Sequence, residues 1–278
     1  MAKRLMVATA FALALALALA ACGESNTRAT RHLAPIPPRT LALMAEKGMS
    51  SSDPILVRAY KTESELELWK RRADGKYAHL KTYPICRWSG QLGPKIREGD
   101  RQAPEGFYMV TPGQMNPDSA NYLAFDTGFP NEYDRAHGRT GAYLMVHGSC
   151  SSAGCYAITD AAIAELYAIA REAFAGGQPA FQFQAYPFRM RAENIAKNRA
   201  DPNIAFWRNL KEGSDEFDVT RQEPRVSVVG QRYDFGPEQP LVAEKRAADE
   251  QKVADLVARG VPAVRVVYED GSQHASFR

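Results

Sequence analysis

The stretch His147-Gly148-Ser149-Cys150-Ser151-Ser152-Ala153-Gly154-Cys155 follows an apolar run over 142–146 and precedes a helical pattern that starts near Thr159. A strand delivers His147 to a sheet end, and a Gly-bearing loop brings Cys155 back within reach of it. A cysteine acts as a nucleophile as its thiolate, so its free pKa near 8.5 must be lowered by a neighbouring imidazole or a helix N-terminus. Both lie close in sequence. The small residues Ala153 and Gly154 let a carbonyl approach the backbone, where the N–H groups around Gly154 and Cys155 are positioned to hold an oxyanion. Other arrangements of the same residues are a Cys150–Cys155 bridge, or a zinc site of His147, Cys150 and Cys155 that lacks a fourth ligand.

Outward from this stretch the pattern is strand-rich. Short apolar runs over 55–61, 65–70 and 76–85 come first, the last two separated by the hairpin signal Asp74-Gly75. Further strand patterns cover 106–111, 122–126, 142–147 and 181–188. Ile163, Leu166, Tyr167, Ala170 and Phe174 fall on one face of a helix, with Thr159 or Asp160 at its start and Gly176 at its end. Helical patterns also cover 192–199, 203–217 and 242–258. Many strands and few helices predict a β-rich α+β domain.

The chain has 278 residues, of which 45 % are apolar and 24 % charged. Its 35 Lys and Arg stand against 32 Asp and Glu, too slight an excess for a nucleic-acid binder. Lys3 and Arg4 precede an apolar run over 5–21, the form of an export signal. Leu19-Ala20-Ala21-Cys22 resembles a bacterial lipobox, in which Cys22 is lipidated and becomes the N-terminus. Loss of Lys3 and Arg4 with the leader leaves 33 basic against 32 acidic side chains. The expected organisation is a signal peptide and lipobox over 1–22, a tether over 23–53 with one short helix near 41–47, a catalytic domain over 54–235 and a charged tail over 236–278. The expected location is periplasmic and lipid-anchored. The absence of Asp after Cys22 resembles the sorting signal for the outer membrane.

Ser152-Ala153-Gly154-Cys155, with His147-Gly148 before it, resembles the active-site motif of YkuD-type L,D-transpeptidases. The likeness is closer to the YafK-like branch. It rests on Tyr83-Pro84-Ile85-Cys86, Leu92-Gly93-Pro94-Lys95, Glu98-Gly99-Asp100, Gln102 to Tyr108, His137-Gly138-Arg139-Thr140-Gly141, Cys155-Tyr156-Ala157 and Pro187-Phe188-Arg189-Met190. The resemblance implies a YkuD-type catalytic domain that needs no metal or organic cofactor. It implies acyl transfer through a Cys155 thioester, with His147 as general base and acid and the Gly154 backbone at the oxyanion. The implied substrates are amide bonds at diaminopimelate in peptidoglycan stem peptides, with Ser152, Arg139, Arg189 and Tyr108 as binding residues. Arg191 is a further candidate for a stem carboxylate. The branch is associated with cleaving the link between peptidoglycan and an outer-membrane lipoprotein, so amide hydrolysis is the alternative direction. A weakly catalytic peptidoglycan-binding lipoprotein is a second alternative. Two positions depart from the usual motif: Ala153 stands where a His is usual, and Ala157 where an Arg is common. With Cys155 free and Cys22 lipidated, Cys86 and Cys150 are left as the expected disulfide pair.

Overall fold

The computed structural model describes residues 28–278. The chain runs through α1 (Pro38–Glu46), β1 (Ile55–Tyr60), β2 (Glu65–Arg71), β3 (Tyr77–Pro84), β4 (Arg87–Trp88), β5 (Gly106–Val110), β6 (Met115–Asn116) and β7 (Ala124–Asp126). Then follow α2 (Glu132–Ala136), β8 (Met145–His147), β9 (Tyr156–Ala157), α3 (Asp160–Ala175), β10 (Phe181–Tyr186), α4 (Ala192–Lys197), α5 (Ile204–Thr220), the hairpin β11 (Ser227–Val229) with β12 (Arg232–Asp234), and α6 (Pro240–Ala258).

Two five-stranded sheets form the body. The larger has the order β3-β2-β1-β10-β5, the smaller β4-β9-β8-β7-β6. The mixture of strands and helices is the α+β class expected from the sequence. Strand alternation sorts the larger sheet into two faces. Phe181 and Phe183 point one way and meet Phe125 of β7, Tyr156 of β9 and Phe174 of α3. Tyr186, from the other face of β10, stacks on Tyr60, and Arg58 beside it reaches Ser214 of α5. The larger sheet thus lies between the smaller sheet with α3 and the long helix α5.

Local signals explain the main elements. Asp74 caps the β2–β3 turn by accepting from Lys76 N at 3.0 Å, and Gly75 supplies the positive φ the turn needs. The Thr159 hydroxyl accepts from Ala162 N at 3.2 Å and caps α3, whose Ile163, Leu166 and Ala170 are buried. The strand expected over 142–147 is shorter, Met145–His147, because Tyr143 has a φ of 57° and breaks the extended run.

The segment expected as a tether is described from Arg28 onward, and there it lies on the domain. Ile36, Met44 and Met49 are buried, and Arg31 donates to the Ser119 carbonyl at 2.7 Å. The Ser, Thr, Arg and Pro of the segment read as a tether, whereas Met44, with Leu43 beside it, packs α1 on the core. The C-terminal segment also folds back. Within it Lys245 joins Asp215 of α5 and Asp249 in a network with Lys211. Beyond α6 the chain returns along β4, where Ser272 bridges Trp88. The leader and Cys22 lie outside the described residues. Among the described residues no helix is long and apolar enough to cross a membrane.

Candidate active site

β8 and β9 are parallel neighbours, pairing Val146 with Tyr156 and His147 with Ala157. Parallel strands usually need a crossover of about a dozen residues or more. Here residues 148–155 suffice, because each strand is only two or three residues long. The turn is tight: Ser149 has a φ of 66°, Cys150 of 41° and Gly154 of 119°. Strand alternation puts Cys155 on the same face as Ala157, and hence on the face of His147. Phe125, Val146 and Tyr156 point the other way, into the core.

The loop is fastened by side chains. Cys86 and Cys150 form a disulfide with Cα atoms 5.2 Å apart, which joins the start of β4 to the loop. That bridge takes Cys150 out of both other arrangements, a bond to Cys155 or a metal set with His147. Cys155 is the free cysteine of the described residues. The Ser89 hydroxyl accepts from Gly154 N at 2.6 Å and lies 3.0 Å from the Ser152 hydroxyl. Ser152 in turn accepts from Cys155 N at 3.1 Å and donates to the Cys155 carbonyl at 2.8 Å. At the other end Asp160 accepts from Ser149 N at 2.8 Å.

His147 is buried, and its Nδ1 lies 2.6 Å from the Gly148 carbonyl. A carbonyl only accepts, so Nδ1 carries the hydrogen and Nε2 of the neutral ring is left with its lone pair. Burial lowers the His147 pKa below its ordinary value, only partly offset by the Gly148 bond. Cys155 Sγ receives Met145 N–H at 3.4 Å and lies 3.8 Å from the Tyr143 carbonyl. Burial pushes the Cys155 thiol up; Met145 N–H opposes this, the Asp126 carboxylate adds to it and Lys95 opposes it. Both shifts favour the neutral forms, imidazole and thiol, over an imidazolium–thiolate pair.

Several expected site residues are engaged by partners of their own. Arg139 is buried, paired with Asp134 at 2.8 Å and packed on Tyr133 and Phe206. Arg189 is held by Glu65 and by Glu67 over the Tyr60 ring, on the larger sheet. Tyr108 is a core residue whose hydroxyl donates to the Glu105 carbonyl at 3.1 Å. Ser152 is spent on the loop, and the Gly154 N–H expected at an oxyanion is already taken by Ser89. The charge or hydroxyl of each was visible in the sequence; the partner that neutralises or engages it was not.

Other residues enter the site from positions the motif does not mark. Ser89 is one. Asp126 is another: it pairs across β7–β8 with Met145 and so shares the Cys155 face. Tyr143 stands 78 % exposed beside the thiol. Lys95, anchored by Asp100 at 2.5 Å, lies beneath Gly141.

An α+β domain with a histidine at the end of one short strand and a free cysteine just before the parallel strand beside it is the architecture of an L,D-transpeptidase. The chain matches no family model. It is 46 % identical over 180 residues to YafK of Escherichia coli K12, a candidate L,D-transpeptidase, covering 65 % of this chain and 73 % of that protein. The same figures hold for YafK of Escherichia coli O157:H7. The chain belongs to the L,D-transpeptidase family, and within it to the YafK-like branch. Among solved structures it is similar to the helical cell shape determining protein Pgp2 of Campylobacter jejuni, with a TM-score of 0.39, 17 % identity and coverage of 69 % of this chain and 80 % of that one. Bd1075 of Bdellovibrio bacteriovorus gives a TM-score of 0.36 at 14 % identity, over 64 % and 78 % of the two chains.

Proposed function

We propose that the protein is a cysteine-dependent acyl-transfer enzyme that acts on amide bonds at diaminopimelate in peptidoglycan. The observation that carries this reading is the His147 Nδ1 bond to the Gly148 carbonyl, on the strand beside Cys155. It holds the imidazole in the tautomer whose Nε2 can accept a proton. As substrate binds, Nε2 takes the Cys155 proton and the sulfur attacks the amide carbonyl. The tetrahedral oxyanion is held by Cys155 N–H, whose bond to Ser152 is longer than the one that ties Gly154 to Ser89. His147 then returns the proton to the leaving amine, and a thioester remains on Cys155. An amine acceptor completes transpeptidation; water completes hydrolysis.

Hydrolysis has its own support. Ala153 is exposed, so the side of Cys155 where a larger His is usual is open to water. A binding-only role is opposed by the retention of both the free thiol and the oriented imidazole. We further propose that lipid on Cys22 tethers the domain in the periplasm; the basic, apolar leader ending in Leu19-Ala20-Ala21-Cys22 supports this.

The test incubates purified protein with stem peptides, a labelled amine and labelled water. Cys155→Ala and His147→Ala each abolish product. Label from water alone marks a hydrolase, and label from the amine a transpeptidase. The pH profile follows from the two shifts. Because the His147 pKa is lowered, kcat/KM holds as pH falls through 6.5 and drops only further down, when the imidazole protonates. Because the thiol is raised above 9.0, alkylation of Cys155 by a neutral reagent in the absence of substrate still climbs past that pH. A kcat/KM that is halved at pH 6.5, or unaffected by His147→Ala, overturns the general-base role.

A further inference from the structure

A free tether over 23–53 would reach about 100 Å when extended. From Arg28 onward the segment is bound to the domain instead. Arg171 of α3 donates to the His32 carbonyl at 2.6 Å and to the Ala34 carbonyl at 3.2 Å, and Lys47 donates to the Leu80 carbonyl at 2.7 Å. Residues 23–27 alone then separate Cys22 from the folded body. However they are arranged, the six steps from Cys22 to Arg28 span at most about 20 Å. A folded chain of this size has a radius of about 23 Å. The span is the shorter of the two, so a lipid on Cys22 keeps Arg28 in the half of the domain that faces the membrane. The same segment carries α1, which is apolar on both sides. Met44 is buried against the core and Leu43 packs beside it. The outer face consists of Pro38, Leu41, Ala42 and Ala45 at helical spacing, all exposed, Leu41 by 43 %. A helix that is apolar all round is ordinarily covered all round. Leu33, ahead of it, is 61 % exposed. The exposed charges over 28–46 are Arg28, Arg39 and Glu46, two cations to one anion.

We propose that the outer face of α1, with the exposed Leu33 and Arg28 ahead of it, rests on the lipid bilayer that holds the Cys22 acyl chains. This rests on the lipid anchor proposed above. The occupant follows from the length of chain between Cys22 and Arg28, which brings this segment of the domain to the bilayer before any other. A few small apolar side chains and Leu33 and Leu41 are too little to bind a membrane unaided. Once the anchor has fixed the domain there, the second contact is intramolecular and needs little affinity of its own. Leu33, Leu41 and Pro38 enter the boundary between headgroups and acyl chains, and Arg28 and Arg39 pair with lipid phosphates. The docking also fixes the height of the candidate site. Arg31 lies over the Tyr122 ring, 5.1 Å from its centroid, and Gly148 N donates to the Asn121 carbonyl at 3.0 Å. The loop over 117–122 thus joins the membrane-facing segment to the turn that follows His147. The proposed acyl transfer is thereby confined to amide bonds within a domain's width of the lipid, about 45 Å.

The test uses the full chain, recovered from membranes and reconstituted in vesicles of phosphatidylethanolamine and phosphatidylglycerol with brominated acyl chains. Bromine quenches a tryptophan only at close range. Trp88 and Trp207 are buried, and the unmodified chain supplies the baseline. The emission added by Leu41→Trp is expected to fall at least twofold against the same vesicles without bromine. Leu241→Trp, at a site 65 % exposed on α6 and so beyond α5, is expected to keep its emission. Equal quenching at the two positions, or none at Leu41→Trp, overturns the proposal. Emission from Leu41→Trp that shifts to the blue without quenching places a protein surface over α1, a second copy or another chain, and overturns it too. Should Leu41→Trp fail to fold, Ala45→Trp on the same face replaces it. The mass of the N-terminal peptide separates this proposal from the anchor. A Cys22 without lipid overturns both, whereas a lipidated Cys22 with an unquenched Leu41→Trp overturns the docking alone. Neither reading depends on turnover.

Discussion

The strands of the larger sheet are five to eight residues long, whereas those of the smaller sheet are two or three. The larger sheet is held by its ladders and by the aromatic contacts of Phe181 and Phe183, so its register needs little else. The smaller sheet has too few ladder bonds to hold itself. It is fastened instead by the Cys86–Cys150 bridge, the Ser89–Ser152 pair, the Asp160 cap on Ser149 and the returning C-terminal segment. His147 and Cys155 belong to this second, side-chain-fastened region. A site that requires a histidine and a cysteine one strand apart, with a turn between them, cannot be built on long regular strands. It is placed at short strand ends and stabilised by cross-links.

This contrast can be broken at its seam first. Phe183 is buried and its ring meets Phe125 and Tyr156 of the smaller sheet. Phe183→Ala removes two of the aromatic contacts between the sheets, leaving that of Phe181 with Phe125, and costs about 3–5 kcal/mol, read by denaturant unfolding. Both sheets are expected to melt together; separate transitions would show that the smaller sheet does not depend on the larger. The second test is confined to the fastened region. Replacing Cys86 and Cys150 together by Ser costs about 3 kcal/mol. It is also expected to lower kcat through a mobile loop, with the larger sheet protected from hydrogen exchange as before. Equal loss of protection in β1 and β10 would contradict the division. The smallest effect on stability belongs to Ser89→Ala, about 1 kcal/mol. Its effect on kcat is expected to be at least tenfold, because Gly154 N–H loses its partner, and Ser89→Thr restores the rate by restoring the hydroxyl. A loss of stability without a loss of kcat would make Ser89 a packing residue only.

Much of the larger sheet was legible in the sequence. The Asp74-Gly75 turn, the apolar runs of β1 to β3 and the period of α3 each reflect a local preference that packing reinforces. The docking of α1 was not legible: a short helix is readable near 41–47, but the Ser, Thr, Arg and Pro around it read as a tether, and the surface it packs on is distant in sequence. The same division runs through the site. Cys155 and His147 stand out as residue types beside glycines in a strand–turn–helix pattern. Arg139 and Arg189 also stood out, and their carboxylate partners Asp134 and Glu67 turn them into structural ion pairs. Ser89 did not stand out, since nothing near it in sequence hints that it meets Gly154.

By itself the sequence determined the mixed α+β character of the chain, the helix that follows the Cys155 loop, and the thiol and imidazole set beside it. These are properties of residue type, periodicity and short spacing, and they are set within a few turns or strands of the chain. The tertiary structure alone decided which charges are free and which are paired, and which hydroxyl holds the loop. It also decided that Asp126 shares the face of Cys155, and that the segment from Arg28 to β1 lies on the domain. Those outcomes depend on strand register and on the packing of a distant segment. Both follow from the free energy of the packed whole, and no local preference of the residues concerned encodes them.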